Sequence, residues 1–126
     1  MQFKEQKAIY LQIAHRISEE IVLGLYAEEE RIPSVREYAA LIEVNANTVM
    51  RAFDYLQNEE LIFNQRGRGN FVCKGARKRI IENRKNQFLS EDLTDVFHQM
   101  NTLNISIDDI VKRYNSYKDN LSKNKK

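Results

Sequence analysis

Near the start of the chain, apolar residues recur at four-residue intervals: Ile9, Ile13, Ile17 and Ile21, with Tyr10 and Ala14 beside them. This spacing predicts an amphipathic helix, and Gly24 is its natural stop. An acidic connector, Glu28-Glu29-Glu30, leads to Arg31-Ile32-Pro33. Pro33 is the only proline in the chain; it disfavours helix at Ile32 and sets where the next element can begin. Ser34-Val35-Arg36-Glu37 has the S-x-x-E form of a capping box, in which serine and glutamate each satisfy one free backbone N–H. Val35, Tyr38, Ala39 and Ile42 follow at i, i+3, i+4 and i+7. After a break around Glu43 to Asn45, the residues Val49, Ala52, Phe53 and Leu56 repeat that spacing. Two short helices, each with one apolar stripe and joined by about three residues, make a helix-turn-helix.

Leu61, Ile62 and Phe63 are strand formers, Asn64 to Asn70 is polar with Gly67 and Gly69, and Phe71-Val72-Cys73 resumes the apolar run. That is a β-hairpin with a basic, glycine-containing tip, and a hairpin after a helix-turn-helix is the winged-helix order. Beyond it, Ala76 to Gln87 reads as a charged, solvent-like helix whose main apolar side chains are Ile80 and Ile81. Leu93, Val96, Phe97, Met100 and Leu103 form another stripe; Ile107, Ile110, Val111 and Tyr114 form a last one, with Ser106 and Asp109 in capping positions. These two stripes carry too much apolar surface for isolated helices, so they must pack on each other, on the first domain or on a partner subunit. The final SKNKK is expected to fray. The fold expected is mainly α with a small β-hairpin: a winged helix-turn-helix over residues 1–75 and a helical region over 76–126.

Composition narrows the classes. A chain of 126 residues buries roughly two thirds of its unfolded surface. One cysteine, Cys73, allows no internal disulfide. The opening MQFKEQKAIY lacks a signal pattern, and no apolar run approaches the ~18 residues of a membrane span. A soluble, cytoplasmic protein is expected, with no membrane partner. Net charge is only +2, but its distribution is uneven. Arg66, Arg68, Lys74, Arg77, Lys78, Arg79, Arg84 and Lys85 cluster with only Glu82 opposing them, which suits a polyanion.

Catalysis finds no constellation. His15 and His98 lie far apart on helical segments, Cys73 sits in an apolar strand, and no spacing resembles a zinc site. The Arg66-Gly67-Arg68-Gly69-Asn70 stretch is too short for a phosphate loop and opens no helix. Asp108-Asp109 has a simpler use at a helix N-terminus. No enzyme activity, cofactor or metal is expected.

The outward face of the second short helix is more informative. On a wheel of ~100° per residue, Asn47, Arg51 and Asp54 fall opposite the apolar arc, flanked by Thr48 and Met50. Asn47 and Arg51 are four apart and share a face. Arginine can grip guanine O6/N7 as a fork, and asparagine can pair with adenine N6/N7. Asn45, a helix cap, and Thr48 can reach a phosphate at the helix start. For Arg36 on the first short helix, DNA contact is preferred to a surface ion pair. For Arg66 and Arg68 the wing-tip glycines let the backbone approach a duplex closely, the alternative being an ordinary hairpin turn with solubilising charge. Tyr38 and Tyr55 read as core-edge residues.

These residues resemble a known family. AIYLQIAHRISEEIVLG, RIPSVREYAALIEVNANTVMRAFDYLQNEELI and RGRGNFV are similar to the GntR family of bacterial transcription regulators. The shared features are an I-Y-x-Q-I helix, a P-S-V-R-E opening, an N-x-N-T-V-x-R-A recognition helix and a G-x-G-x-F-V wing. The resemblance spans about residues 8–73. It implies operator DNA bound by a homodimer, with contacts carried to Arg36, Asn45, Asn47, Thr48, Arg51, Arg66 and Gly67, and with Arg68 and Gly69 in the rest of the wing. The family often has proline where Ala8 and Ala46 stand, and glycine where Glu30 and Glu60 stand; Glu60 puts the turn into the wing in question. The 53 residues after Cys73 leave no room for the effector domain of larger members. The chain is thus similar to the short YtrA-like branch, whose C-terminal helices dimerise. That assigns dimerisation to Leu93, Val96, Phe97, Met100, Ile107, Ile110, Val111 and Tyr114.

The function expected is a sequence-specific transcriptional regulator, a repressor, on a pseudo-palindromic operator. The rival is a winged-helix module docking protein partners; such a face would be richer in exposed apolar or acidic side chains. No ligand set marks a small-molecule effector site.

Overall fold

The computed structural model describes residues 7–124; Met1 to Gln6, most of the stretch read above for a signal, lie outside them. Helices α1 (Ile9–Val22), α2 (Val35–Ile42) and α3 (Ala46–Asn58) precede an antiparallel hairpin of β1 (Ile62–Gln65) and β2 (Gly69–Val72). Helices α4 (Ala76–Gln87), α5 (Leu93–Leu103) and α6 (Ile107–Asn124) follow, with a π-helical turn at Phe88–Asp92 before α5. The chain divides into two compact units, one reaching Arg84 and one beginning at Lys85. No described helix is long and apolar enough to cross a membrane.

The core of the first unit joins Ile13, Ala14, Ile17 and Ile21 of α1 to Tyr38 and Ala39 of α2, and to Val49, Ala52, Phe53 and Leu56 of α3. Ile62 and Val72 of the hairpin close it. Ile9 is 62% exposed, whereas Tyr10 packs against the core. A four-residue step over-rotates a 3.6-residue helix by about 40°, so the isoleucine series drifts off the buried face that Tyr10 keeps. Tyr38, expected at the core edge, is buried: its hydroxyl donates to Glu20 Oε1 at 2.8 Å and its ring meets Phe53 edge-on.

Helix ends reuse one device. Gly24, Glu60 and Asn104 take left-handed φ values just past α1, α3 and α5. The next residue then donates back across the last turn: Leu25 to Glu20 O, Leu61 to Leu56 O and Ile105 to Met100 O, each at 2.9 Å. This satisfies carbonyls that the helix leaves open. Glu60 therefore keeps the turn that a glycine would make, at φ +58. The buried pair Leu56 and Leu61 and a hydrogen bond from Arg79 Nη2 to the Glu60 carbonyl hold it there.

The acidic connector is more than a linker. Glu29 N–H donates to Val72 O, Val72 N–H to Glu30 O, and Ile32 N–H to Asn70 O, at 2.8–3.0 Å. The segment thereby covers the free edge of β2 and ties the wing to the helices. The start of α4 also belongs to this unit, because Ala76 and Ile80 are buried in its core. Arg77 Nε donates to Val22 O at 3.0 Å, and Arg84 pairs with Glu19. The expectation of a solvent-like helix over 76–87 thus fails for its inner face.

In the second unit α5 and α6 have no buried residue among those described. Ser106 Oγ accepts from Asp109 N–H at 3.2 Å, as its capping position predicts. Ser122 to Asn124 are helical instead of frayed, and Lys125 and Lys126 lie outside the described residues.

Candidate nucleic-acid interface

The start of α2 is set by Ser34, whose Oγ accepts from Glu37 N–H at 3.1 Å while Ser34 N–H donates to Glu37 Oε1 at 2.8 Å. These bonds, and Arg31 nearby, hold the Glu37 carboxyl below its ordinary range. Arg36 is exposed on this turn. Glu43 then takes φ +57, which stops α2 and turns the chain into α3.

Asn45 caps α3: its Oδ1 accepts from Asn47 N–H at 2.8 Å. Val49, Ala52, Phe53 and Leu56 are buried, so Asn47, Arg51 and Asp54 are exposed on the other side, with Thr48 half-buried between. Arg51 is not simply solvated. Its Cζ lies 4.3 Å over the ring of Tyr10 on α1, a contact the spacing within α3 could not reveal.

The wing tip is closed by Arg68 N–H donating to Gln65 O at 2.9 Å. Gly67, at φ +80, has open space where a Cβ would stand; Arg66, Gly67 and Arg68 are exposed. Gly69 differs. A Cβ there would lie 2.7 Å from Arg31 Nε. Arg31 Nε donates to Arg68 O at 3.1 Å, and its Nη2 lies 3.6 Å from Glu37 Oε1. Arg31 therefore ties the wing to the first turn of α2, and Gly69 makes room for it. No pattern in the chain marked Arg31; only the pairing of distant segments exposes its role. Asn70 anchors the other side, accepting from Gln57 at 3.1 Å and Asn64 at 3.3 Å.

The basic cluster is divided by use. Arg77, Arg79 and Arg84 are engaged within the first unit, which leaves Arg66, Arg68, Lys74, Lys78 and Lys85 as exposed cations. Burial, then Arg84, lowers the His15 pKa, and burial pushes the Cys73 thiol up. Among the described residues no three or more His, Cys, Asp or Glu side chains come together in a group that could hold a metal ion.

A winged helix that exposes amides and an arginine on its second helix-turn-helix element has the form of a DNA-binding regulator. Residues 9–72 match the family described as "Bacterial regulatory proteins, gntR family". The chain is 31% identical over 111 residues to the HTH-type transcriptional regulator YhcF of Bacillus subtilis, covering 88% of this chain and 90% of that protein. It is 36% identical over 74 residues to the HTH-type transcriptional repressor YtrA of the same organism, covering 59% of this chain and 57% of that one. The crystal structure of a GntR-family transcriptional regulator from Bacteroides thetaiotaomicron superposes with a TM-score of 0.81 at 54% identity, covering 90% and 99% of the two chains. The chain belongs to the GntR family and is a DNA-binding helix-turn-helix transcriptional regulator.

Proposed function

We propose that this regulator binds a pseudo-palindromic operator as a cytoplasmic homodimer and acts as a repressor. One observation carries the reading of the interface: the outward face of α3 holds Asn47 and Arg51 exposed behind an Asn45 cap, on the helix that leads directly into the hairpin with the basic tip. Asn47 and Arg51 face base edges in the major groove. Asn45, Thr48 and Arg36 meet phosphate near helix N-termini. Arg66, Gly67 and Arg68 lie against the adjacent backbone or minor groove, with Gly69 shaping the wing behind them.

Dimerisation is supported by Val96, Phe97, Ile107, Val111 and Tyr114, each exposed although large and apolar. Leu93, Met100 and Ile110, half-buried, continue the same stripes. The repressor role follows the name of the YtrA relative. The corresponding partition is a DNA-binding domain over 1–75 and a dimerisation region over 76–126, with the first turns of α4 buttressing the former.

Two-fold symmetry puts the half-sites roughly one helical turn apart. The test is selection of duplexes from a randomised library by the full chain, followed by footprinting and titration. An inverted repeat bound by two chains is expected. Arg51→Ala is expected to cost about 1–3 kcal/mol and relax one base position, whereas Arg66→Ala lowers the salt slope by about 0.9 without changing preference. Enrichment of no duplex, or binding by a single chain to a half-site, would overturn the reading.

A further inference from the structure

Arg51 reaches its place through α1. The Tyr10 ring beneath its guanidinium, 4.3 Å from Cζ, packs edge-on against Tyr55, one turn further along α3, with centroids 6.4 Å apart and planes at 69°. Tyr55 in turn donates its hydroxyl to Glu59 Oε1 at 3.4 Å. Tyr10 is partly buried against the core, so the platform under the cation is braced from two sides. A ring face attracts a cation through its quadrupole and occupies none of its N–H donors. Among the described residues, no hydrogen bond or ion pair takes up the donors of Arg51.

We propose that Tyr10 is a positioning residue for recognition: it holds the guanidinium of Arg51 in the orientation that presents its fork to a guanine edge. The inference rests on the reading that Arg51 contacts a base. An unrestrained arginine loses much rotamer freedom when it forms a bidentate contact; a stacked one has already lost it. The gain appears only where the fork is satisfied. Tyr10 therefore raises discrimination between operator and other DNA, and leaves phosphate-driven affinity alone.

The experiment measures affinity of the full chain, by fluorescence anisotropy, for the duplex it enriches from a randomised library and for a scrambled duplex of the same composition. Arg51→Ala, Tyr10→Leu, Tyr10→Phe and the double variant Tyr10→Leu/Arg51→Ala are compared, with thermal melts to confirm folding. Tyr10→Leu is expected to weaken the enriched duplex about two- to fivefold, the size of an exposed cation–π contact, and to leave the scrambled duplex unchanged. Tyr10→Phe, which keeps the ring, restores the wild-type ratio. In the Arg51→Ala background the leucine has no further effect. If Arg51→Ala loses discrimination but Tyr10→Leu matches wild type, binds more tightly or weakens both duplexes alike, positioning by Tyr10 is wrong and the base contact stands. If Arg51→Ala discriminates as well as wild type, or no duplex is enriched, the base contact fails and the positioning role with it.

Discussion

Glu60 and Gly69 are two positions in the first unit where backbone conformation and side-chain chemistry have to be reconciled. Glu60 sits at φ +58 with its Cβ in the region that L-residues avoid. Glu60→Gly is expected to raise stability by about 1 kcal/mol, read from the urea midpoint, with operator affinity unchanged; an equal or lower midpoint would show that the left-handed turn carries no strain. Gly69 is the converse, since its φ is +118 and Arg31 fills the space beside it. Gly69→Ala is expected to destabilise by about 1–3 kcal/mol and to weaken operator binding, because the wing loses its tie to α2. Retention of both stability and affinity would separate Arg31 from wing placement. The chain announced the glycine at 69 through its wing motif, but the reason for it was legible only once Arg31 had been brought across from the connector.

At the scale of elements, the turn between α2 and α3 and the caps around it position the recognition surface. Ala46 occupies the first turn of α3, and its N–H has no acceptor among the described residues. Asn45, at φ −56 and ψ 132, already has the extended conformation that precedes a proline. Ala46→Pro is therefore expected to stabilise by about 0.4–1 kcal/mol through the unfolded state, with intact DNA binding; a lowered denaturation midpoint would contradict it. The capping box of α2 carries a pH dependence. The Glu37 carboxyl is held below its ordinary range, chiefly by the Ser34 N–H and then its hydroxyl. A depressed pKa gives stability that is present above the unfolded value and lost as pH falls through the folded one. The deficit of Glu37→Ala against wild type is thus expected at neutral pH and to vanish on acidification below the ordinary carboxylate value of about 4. A deficit independent of pH would assign the effect to helix propensity instead. Both caps were legible in the local sequence because capping joins residues only two or three apart. Tyr10 was not: its ring serves a residue forty-one positions later.

For the molecule as a whole, α5 and α6 carry apolar faces that the chain itself leaves exposed. Phe97 and Val111 are 50% and 48% exposed, more than such side chains tolerate over a continuous stripe. If these faces join two copies, Phe97→Asp and Val111→Asp place charges in a dimer interface. The combined variant is expected to sediment as a monomer and to lose operator affinity by about 100-fold or more, since each half-site is then bound without the other. A dimer that persists would place the contact elsewhere. The same comparison separates unit from unit, because the first unit keeps its own core and its melting transition is expected to survive.

Sequence alone determined what depends on short range: helix periods, the capping box at Ser34, the Asn45 cap, the glycines of the wing and the outward face bearing Asn47 and Arg51. Those follow from 3.6-residue periodicity and backbone hydrogen bonding within a few residues, so they needed no partner. Tertiary structure decided which of the basic residues remain available. Arg77, Arg79 and Arg84 are drawn into the first unit by carbonyls and a carboxylate far away in the chain. It also turned the acidic connector into an edge for β2 and seated Arg51 on Tyr10. In each case the deciding interaction joins residues distant in sequence, and no local pattern encodes which distant group will satisfy a given donor.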